Sequence, residues 1–322
     1  MVDFRYHLVS LVSVFLALAL GIILGAGPLQ NSIGEALSGE VSNLREANQQ
    51  IKLTNEELKK RNDQQNAGIS KVAPLLLSGT MTGRSVGIVV LPGADEAYVN
   101  EAQNWLKQTG ASVVGEIHID QAWTDAEDSS YRGSFADQIA AYVTGAEPTN
   151  DPNTVLAMAL NQIAREGIAT ENNKTLSELL TGTDTPMITG INGFNTGADG
   201  LVIITNDAVV PADTEPVDGE AKAQSEYDAK TFAELARTLK SGGPVVVAGA
   251  ADTNNDVVRM MRDSRPACST VDSIDTVMGQ INISLAMAAE FSGKSVQLGF
   301  EAGATSEIGD RIESPQPAEA NK

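Results

Sequence analysis

The sequence has 322 residues, of which 42 are acidic and 22 basic, and its net charge is −20 at pH 7. Residues 1–79 hold seven acidic and seven basic side chains, so the whole negative excess lies in residues 80–322. A field of this sign repels phosphate backbones and anionic lipid surfaces, which argues against nucleic-acid binding and against a head that lies on a membrane.

An uncharged and almost entirely apolar run of 19 residues extends from Leu8 to Ala26. At about 1.5 Å per helical residue it spans roughly 28 Å, close to the ~30 Å hydrocarbon core of a bilayer. Arg5 precedes the run, whereas the first charge after it is Glu35, so the positive-inside rule predicts a cytoplasmic N-terminus. Residues 1–27 are therefore interpreted as a cytoplasmic N-terminus and a plasma-membrane signal anchor, with everything after them extracytoplasmic. A cleaved secretory signal is the alternative, although its apolar core is usually shorter.

Small residues recur at every fourth position of this run, at Ala17, Gly21 and Gly25. They share one helical face, on which a second helix backbone could approach closely. Glycine is common in membrane helices, so this pattern indicates dimerisation only in combination with the segment that follows.

A repeat of 3.5 residues follows the anchor and predicts a coiled coil over residues 28–73. Its a-positions are Val41, Asn48, Asn55, Asn62 and Ile69, and its d-positions are Leu37, Leu44, Ile51, Leu58, Gln65 and Val72. Three successive Asn residues at a-positions favour parallel pairing in one register, at a cost in stability. We expect a marginal homodimer or one partner of a heteromeric bundle, and a solvated single helix is the alternative.

An α/β head is predicted over residues 80–300. Buried-strand patterns at Ser85–Leu91 and Ala111–Ile119 flank a helical pattern at Asp95–Thr109, which is a β-α-β unit and implies a parallel, Rossmann-like sheet. Further strands are expected at 201–205 and 245–248, and further helices at 154–166, 231–240 and 276–291. The remaining segments are interpreted as a mostly helical insertion at about 120–200, a glycine-rich loop at 190–200, a charged loop at 211–230 and a disordered tail at 301–322.

Two constellations of polar side chains are candidates for sites. Glu116, His118 and Asp120 alternate along a strand and so face one way, which suits a metal or a proton relay, but also the solvated face of an edge strand. Asp252, Asn254 and Asp256 follow a predicted strand and resemble the start of a calcium loop, but Val257 stands where that loop needs glycine. Helix capping by these residues is the alternative to a ligand loop.

Catalysis has little support in the sequence. It contains no H-E-x-x-H helix, no C-x-x-C pair and no strand-to-helix elbow of the G-x-S-x-G type. Cys268 is the only cysteine, which we expect to be a buried apolar residue, with intermolecular pairing or a reactive thiol as alternatives. We therefore predict a protein that is not an enzyme, with no catalytic residues, no cofactor and no metal site.

Two segments resemble the actinobacterial MctB/SteB family: FRYHLVSLVSVFLALALGIILG at Phe4–Gly25 and TVDSIDTVMGQINISLAMA at Thr270–Ala288. The resemblance covers the anchor, the coiled coil and the head. The resemblance implies two different functions. Members are described as copper transport or outer-membrane channel proteins, whereas the corynebacterial branch is similar to a cell-separation factor. That factor acts with a membrane partner, SteA, and is linked to control of a peptidoglycan hydrolase.

The preferred hypothesis from the sequence is a non-enzymatic, single-pass envelope protein that acts as an oligomeric scaffold or regulator in cell separation. It would present its acidic head to a SteA-like membrane partner and a peptidoglycan hydrolase. The alternative is a component of copper homeostasis or transport, and a head that binds or hydrolyses an unrecognised ligand is a third hypothesis.

Overall fold

The computed structural model describes residues 4–147, 151–182, 184–206, 219–264 and 268–313. They divide into two compact units, Met1–Gln65 and Asn66–Lys322. Helix α1 (Phe4–Leu77) extends through both units. Its residues up to Gln65 form the described part of the first unit, and its last turns belong to the second. Among the described helices, one segment, Phe4–Gly25, is long and apolar enough to cross a membrane. A membrane-spanning helix is thus supported by length and composition, and its orientation stays a prediction.

The heptad segment is helical, but the structure holds one chain and does not test pairing. Its predicted core residues Val41, Leu44, Ile51 and Leu58 are exposed. Helix α1 continues past Pro74 to Leu77, because the buried side chains of Ala73 and Leu77 pack into the head. The coiled coil therefore stays a prediction.

The second unit is an α/β domain whose described part contains a seven-stranded sheet in the order β3-β2-β1-β4-β5-β6-β7. Every neighbouring pair is parallel except β2 and β3, which are antiparallel. The strands are β1 (Ser85–Val90), β2 (Ser112–Ile119), β3 (Ile188–Gly193), β4 (Gly200–Ile204), β5 (Val245–Ala248), β6 (Ser269–Val271) and β7 (Gln297–Leu298). The predicted α/β class with a largely parallel sheet is confirmed.

Helices cover both faces of the sheet. They are α2 (Glu96–Gln108), α3 (Ser129–Ile139), α4 (Pro152–Glu166), α5 (Glu171–Thr181), α6 (Gly219–Ser241), α7 (Val257–Asp263) and α8 (Val277–Phe291). Short 3-10 helices lie at Gln121–Trp123 and Ala140–Tyr142. Helices α2 and α8 and the end of α1 pack on one face, and α3 to α7 pack on the other.

The central strands are apolar on both sides because both faces of the sheet are buried. In β1, the side chains of Val86, Ile88 and Val90 face α2 and α8, whereas Val89 faces the helices on the opposite side. A fully buried aliphatic side chain of this size stabilises a fold by about 1.5–3 kcal/mol. Core burial therefore stabilises a domain whose single cysteine allows no internal disulfide.

Three predicted boundaries of the head are wrong. The glycine-rich stretch is predicted to be a loop, but Gly190–Gly193 belongs to β3, and the segment lacks the β-branched run that signals a strand. Phe194, at φ +52°, follows it and is fully buried against β1 and β2. A Cβ at Gly87 would lie 2.5 Å from the Phe194 ring, so this glycine makes room for the ring.

The second wrong boundary is the charged loop, because α6 already begins at Gly219, while residues 211–218 of that loop lie outside the described residues. The third is the tail. Residues 301–313 pack against the head, and Thr305, for example, donates its backbone N–H to the Gln297 carbonyl at 2.8 Å. The described parts of both segments, residues 219–230 and 301–313, are rich in polar residues. Hydrogen bonds to residues that are distant in the chain contribute to their positions. Residues 314–322 of the predicted tail lie outside the described part of the chain.

A buried ion pair joins the C-terminal elements. Arg262 Nη1 lies 2.6 Å from Asp272 Oδ2, and their side chains are 2% and 0% exposed. The same guanidinium donates to Thr270 Oγ1 at 2.8 Å, to the Leu298 carbonyl at 2.9 Å and to the Ala302 carbonyl at 3.1 Å. One side chain on α7 thus connects β6, β7 and the segment that follows β7.

We predict that Asp272→Ala lowers the free energy of unfolding by about 3–5 kcal/mol, because it leaves the Arg262 charge buried without its counterion. The matched control is Asp263→Ala, which breaks the pair of Arg259 Nε and Asp263 Oδ2 at 2.9 Å. That pair lies at the surface of the same helix and should contribute less than about 1 kcal/mol. Chemical denaturation of both variants measures the difference, and equal losses would contradict a structural role for the buried pair.

Candidate functional site

The carboxyl ends of the parallel strands form the edge where α/β folds place their ligands. In the sheet, β1 lies between β2 and β4. The connections after β1 and after β4 lead to opposite sides of this point, so a crevice lies between the carboxyl ends of β1 and β4. A cavity of about 110 Å³ lies here. Its lining includes Leu91, Pro92, Thr205, Asn206, Phe232 and Asn255.

The crevice is small and its lining is partly apolar and partly polar, which does not match a dinucleotide site. Asp228 is the carboxylate in its lining, and this side chain already accepts hydrogen bonds from Gln224 at 2.6 Å and from Gln121 at 3.4 Å. The turn after β1 contains one glycine, Gly93, and then Asp95, which caps α2 by accepting from the Ala97 N–H at 2.8 Å. A turn of this kind does not supply the glycine-rich phosphate cradle of nucleotide-binding folds.

The predicted ligand loop lies at the same edge, after β5. Asp252 and Asn254 are exposed, whereas Asp256 is buried at the N-cap position of α7. Its Oδ2 accepts from the Thr253 N–H at 2.7 Å, so the carboxylate closes the turn before the helix. Ligand binding by the three residues stays a prediction, and the structure gives Asp256 a local role in the turn.

The second constellation splits in the structure. The His118 ring lies between two carboxylates, with Nε2 3.1 Å from Glu116 Oε2 and Nδ1 3.5 Å from Glu96 Oε1. These carboxylates lie at opposite ring nitrogens, and Asp120 instead caps a 3-10 helix through the Ala122 N–H at 2.9 Å. The three predicted residues therefore do not converge. Among the described residues, no group of three or more His, Cys, Asp or Glu side chains is arranged to hold a metal ion.

Residues Gly83–Gly87 match the letters of the G-x-S-x-G pattern but do not form an elbow. Ser85 is the first residue of β1, whereas a nucleophile elbow places its serine between the end of a strand and a helix. The Ser85 hydroxyl donates to the Gly197 carbonyl at 3.3 Å and accepts from the Asp199 N–H at 2.9 Å. This hydroxyl thus joins two parts of the backbone at the amino edge of the sheet.

The thiol of Cys268 is buried, as predicted for a lone apolar cysteine. Burial, with the nearby Glu290 carboxylate, raises its pKa to about 12. A protonated and inaccessible thiol is a poor nucleophile and a poor metal ligand. Met261 and Met287 are likewise buried in the core, whereas Met260 is partly buried against it.

The predicted oligomerisation residues all lie on α1 and are open to a partner. A Cβ at Gly21 or Gly25 would meet no other atom within 4 Å, and Ala17 is exposed. The a-position residues Asn48, Asn55 and Asn62 are exposed as well. These facts are compatible with pairing, which remains a prediction.

A polar network after β6 and β7 has no counterpart among the sequence-based predictions. Asp272 Oδ1 accepts from the Ser273 hydroxyl at 2.7 Å and from the backbone N–H groups of Phe300 at 2.7 Å and Glu301 at 3.2 Å. The Glu301 carboxylate accepts from the Ala251 N–H and from the Ser273 hydroxyl. The sequence signal that could have indicated this network is the polar pair Asp272-Ser273 in the segment that resembles the family. The sequence pattern, however, places Glu301 in the predicted tail.

Burial raises the pKa of Glu301 to about 7, and the neighbouring Asp272 and Asp252 carboxylates add to this effect. Hydrogen bonds from Ala251 and Ser273 act in the opposite direction. The ordinary value is 4.5, so over the interval between these two values the folded protein retains a proton that the unfolded chain has lost. The contribution of Glu301 to stability is therefore complete below about pH 4.5 and is lost as the pH rises through about 7.

We predict that Glu301→Gln, which mimics the protonated carboxyl, removes this pH dependence. Between about pH 5 and pH 8 the Tm of the unmodified protein should fall relative to that of the variant. Melting curves of both proteins across this range measure the difference. A constant difference would contradict the raised pKa.

Comparison with known proteins adds the family. A family model described as "Copper transport outer membrane protein, MctB" matches residues 1–308. Proteins named "Copper transporter MctB" from Mycobacterium tuberculosis and Mycobacterium bovis are 24% identical to this chain over 309 residues. The aligned region covers 92% of this chain and 95% of those relatives. The match includes the apolar helix, the heptad segment and nearly all of the described head, and the chain belongs to the MctB family.

Proposed function

We propose that this protein acts in copper homeostasis as a single-pass envelope protein, with its N-terminus in the cytoplasm and its head outside the plasma membrane. The observation that carries the proposal is the family match over residues 1–308, together with relatives that are named copper transporters. It favours the copper hypothesis over the cell-separation hypothesis that the sequence by itself favours. The distribution of charge around the apolar run supports the orientation.

The structure narrows how such a protein could act. Cu(I) prefers thiolate and thioether ligands, but the Cys268 thiol is buried in the core, as are Met261 and Met287. Met158, Met260 and Met278 are partly buried. Among the described segments, one helix is suited to crossing a membrane, and one helix cannot enclose a pore. We therefore infer that the chain acts in an assembly, with copies of itself or with a membrane partner, and does not bind copper through its buried cysteine.

Cell separation remains the second candidate. The acidic head favours it, since a net charge of −20 suits electrostatic recognition of a basic partner protein. In this case the head would act as a scaffold for a SteA-like partner and a peptidoglycan hydrolase.

Deletion of the gene in the native host tests the proposal. We expect the cells to accumulate copper and to tolerate less of it, with unchanged zinc tolerance as the control. The full chain should restore copper tolerance, and a chain without residues 4–25 should not. Unchanged copper content together with cells that fail to separate would refute the copper proposal and favour the second candidate.

We further propose that α1 pairs in parallel through the heptad positions. The full chain with Leu58→Cys should form a disulfide-linked dimer in membranes, because d-position residues of a parallel pair lie close enough for a disulfide. The matched control is Lys60→Cys, two residues away at the outward f-position. Cys268 is buried and does not interfere. Equal crosslinking at both positions, or none at either, would contradict a homodimer, and the second result would leave the heteromeric bundle.

A further inference from the structure

The segment 301–313, which we name the strap, connects two opposite edges of the sheet. It begins at Glu301, beyond the carboxyl end of β7. It ends beside the last turn of α1, at the amino edge, where Met81 donates its N–H at 3.2 Å to the Thr109 carbonyl just before β2. All of these residues belong to the unit Asn66–Lys322.

The first part of the strap is held at the carboxyl edge by three separate elements. The Glu301 carboxylate accepts from Ala251 after β5, and the Ser273 hydroxyl, after β6, donates to Glu301 Oε1 at 3.3 Å. Arg262 on α7 donates to the Ala302 carbonyl at 3.1 Å. The charged groups that act on Glu301 are Asp252 and Asp272, and Asp272 forms the buried pair with Arg262.

The middle of the strap is anchored on β7 and α8. Gly299 donates its N–H to the Ser306 carbonyl at 2.9 Å. The fully buried Asn282 side chain donates to the Glu307 carbonyl at 2.8 Å and accepts from the Gly309 N–H at 3.1 Å. A Cβ at Gly309 would lie 2.8 Å from Leu298 Cδ1, so the backbone packs directly on the core. Contacts with β7 and α8 therefore connect the two ends of the strap.

The last part of the strap completes the end of α1. The final carbonyls of a helix lack partners within it, and a cation there also interacts favourably with the helix dipole. The last turn of α1 contains no basic side chain of its own. Arg311 supplies one, because Nη1 donates to the carbonyls of Leu75 at 3.0 Å and Leu76 at 2.9 Å, and Nη2 donates to that of Ser78 at 3.0 Å.

We propose that the strap couples the carboxyl edge of the sheet to the end of α1, so that a change at Glu301 alters the hold of Arg311 on the helix. A ligand at the carboxyl edge, or the loss of the Glu301 proton, acts at one end of the strap. The other end controls the last turn of the helix that joins the head along the chain to the apolar segment. The coupling does not depend on copper or on any particular partner.

Hydrogen exchange of the full chain in detergent tests the coupling. Glu301→Ala removes the contacts at the carboxyl edge, and we expect the amides of Ser78 and Thr80, at the end of α1, to exchange about threefold faster or more. Arg311→Gln should have the reciprocal effect on the amides of Ala251 and Glu301. Arg259→Gln, which alters a surface arginine outside the strap, is the control and should change neither region.

The double variant gives the deciding result. Glu301 and Arg311 share no contact, so their effects on the free energy of unfolding should add unless the strap acts as one unit. Non-additivity, together with exchange changes at the distant end, supports the proposal. Additive effects, with faster exchange only around each substituted residue, would overturn it. If Arg311→Gln does not fold, Arg311→Lys keeps the charge but cannot reach all three carbonyls, and the same criteria apply to it.

Discussion

The Asp272 carboxylate lies between α7, the turn after β6 and the segment after β7. The arrangement of these three elements depends on its contacts. One oxygen pairs with Arg262 at 2.6 Å, and the other accepts from Ser273, Phe300 and Glu301. A fully buried carboxylate is stable only when its charge and its lone pairs are satisfied. This requirement fixes α7, the turn after β6 and the chain after β7 relative to one another.

The same requirement explains why residues 299–313 pack against the head despite their polarity. Asp272 accepts hydrogen bonds from the backbone N–H groups of Phe300 and Glu301. Burial of the Glu301 carboxyl near two other carboxylates raises its pKa to about 7. The polar segment that follows uses its backbone to satisfy Asn282 and its Arg311 side chain to complete α1. Hydrogen bonding, together with close packing of Gly309 on the core, places this part of the chain.

Family membership and structure give different constraints on the function. The relatives are named copper transporters, whereas the one thiol of this chain is buried in the head and is a poor ligand for Cu(I). A membrane-anchored component that works through assembly reconciles these two facts. The exposed Asn residues and small residues of α1 are the surface that such an assembly would use.

The parts of the fold that were predictable are those with strong local patterns. The Ser85–Leu91 run became β1, and the helix between Asp95 and Thr109 became α2 with those two residues as its caps. Apolar runs and cap residues report locally on secondary structure, and they were sufficient to recognise the β-α-β unit. The edge strand β3 has a weak pattern because Gly193, at φ +93°, has no room for a Cβ beside the Val114 carbonyl and β3 pairs antiparallel to β2.

The site was less predictable than the fold. The sequence placed Asp252, Asn254 and Asp256 at the carboxyl edge, but it did not bring in Glu301, which lies 49 positions after Asp252 and comes near it only through the order of β5, β6 and β7. Similarly, no local pattern links Arg311 to Leu75, more than 200 residues earlier.

The sequence by itself determined the apolar helix, the heptad repeat, the parallel α/β class and the family, because each depends on composition, periodicity or motifs read along the chain. Only the tertiary structure decided that Glu301 is partly buried beside other carboxylates and that Arg311 completes α1. These properties depend on the distances between groups that are remote in the chain, and desolvation and hydrogen bonding at those distances set the pKa values and the packing.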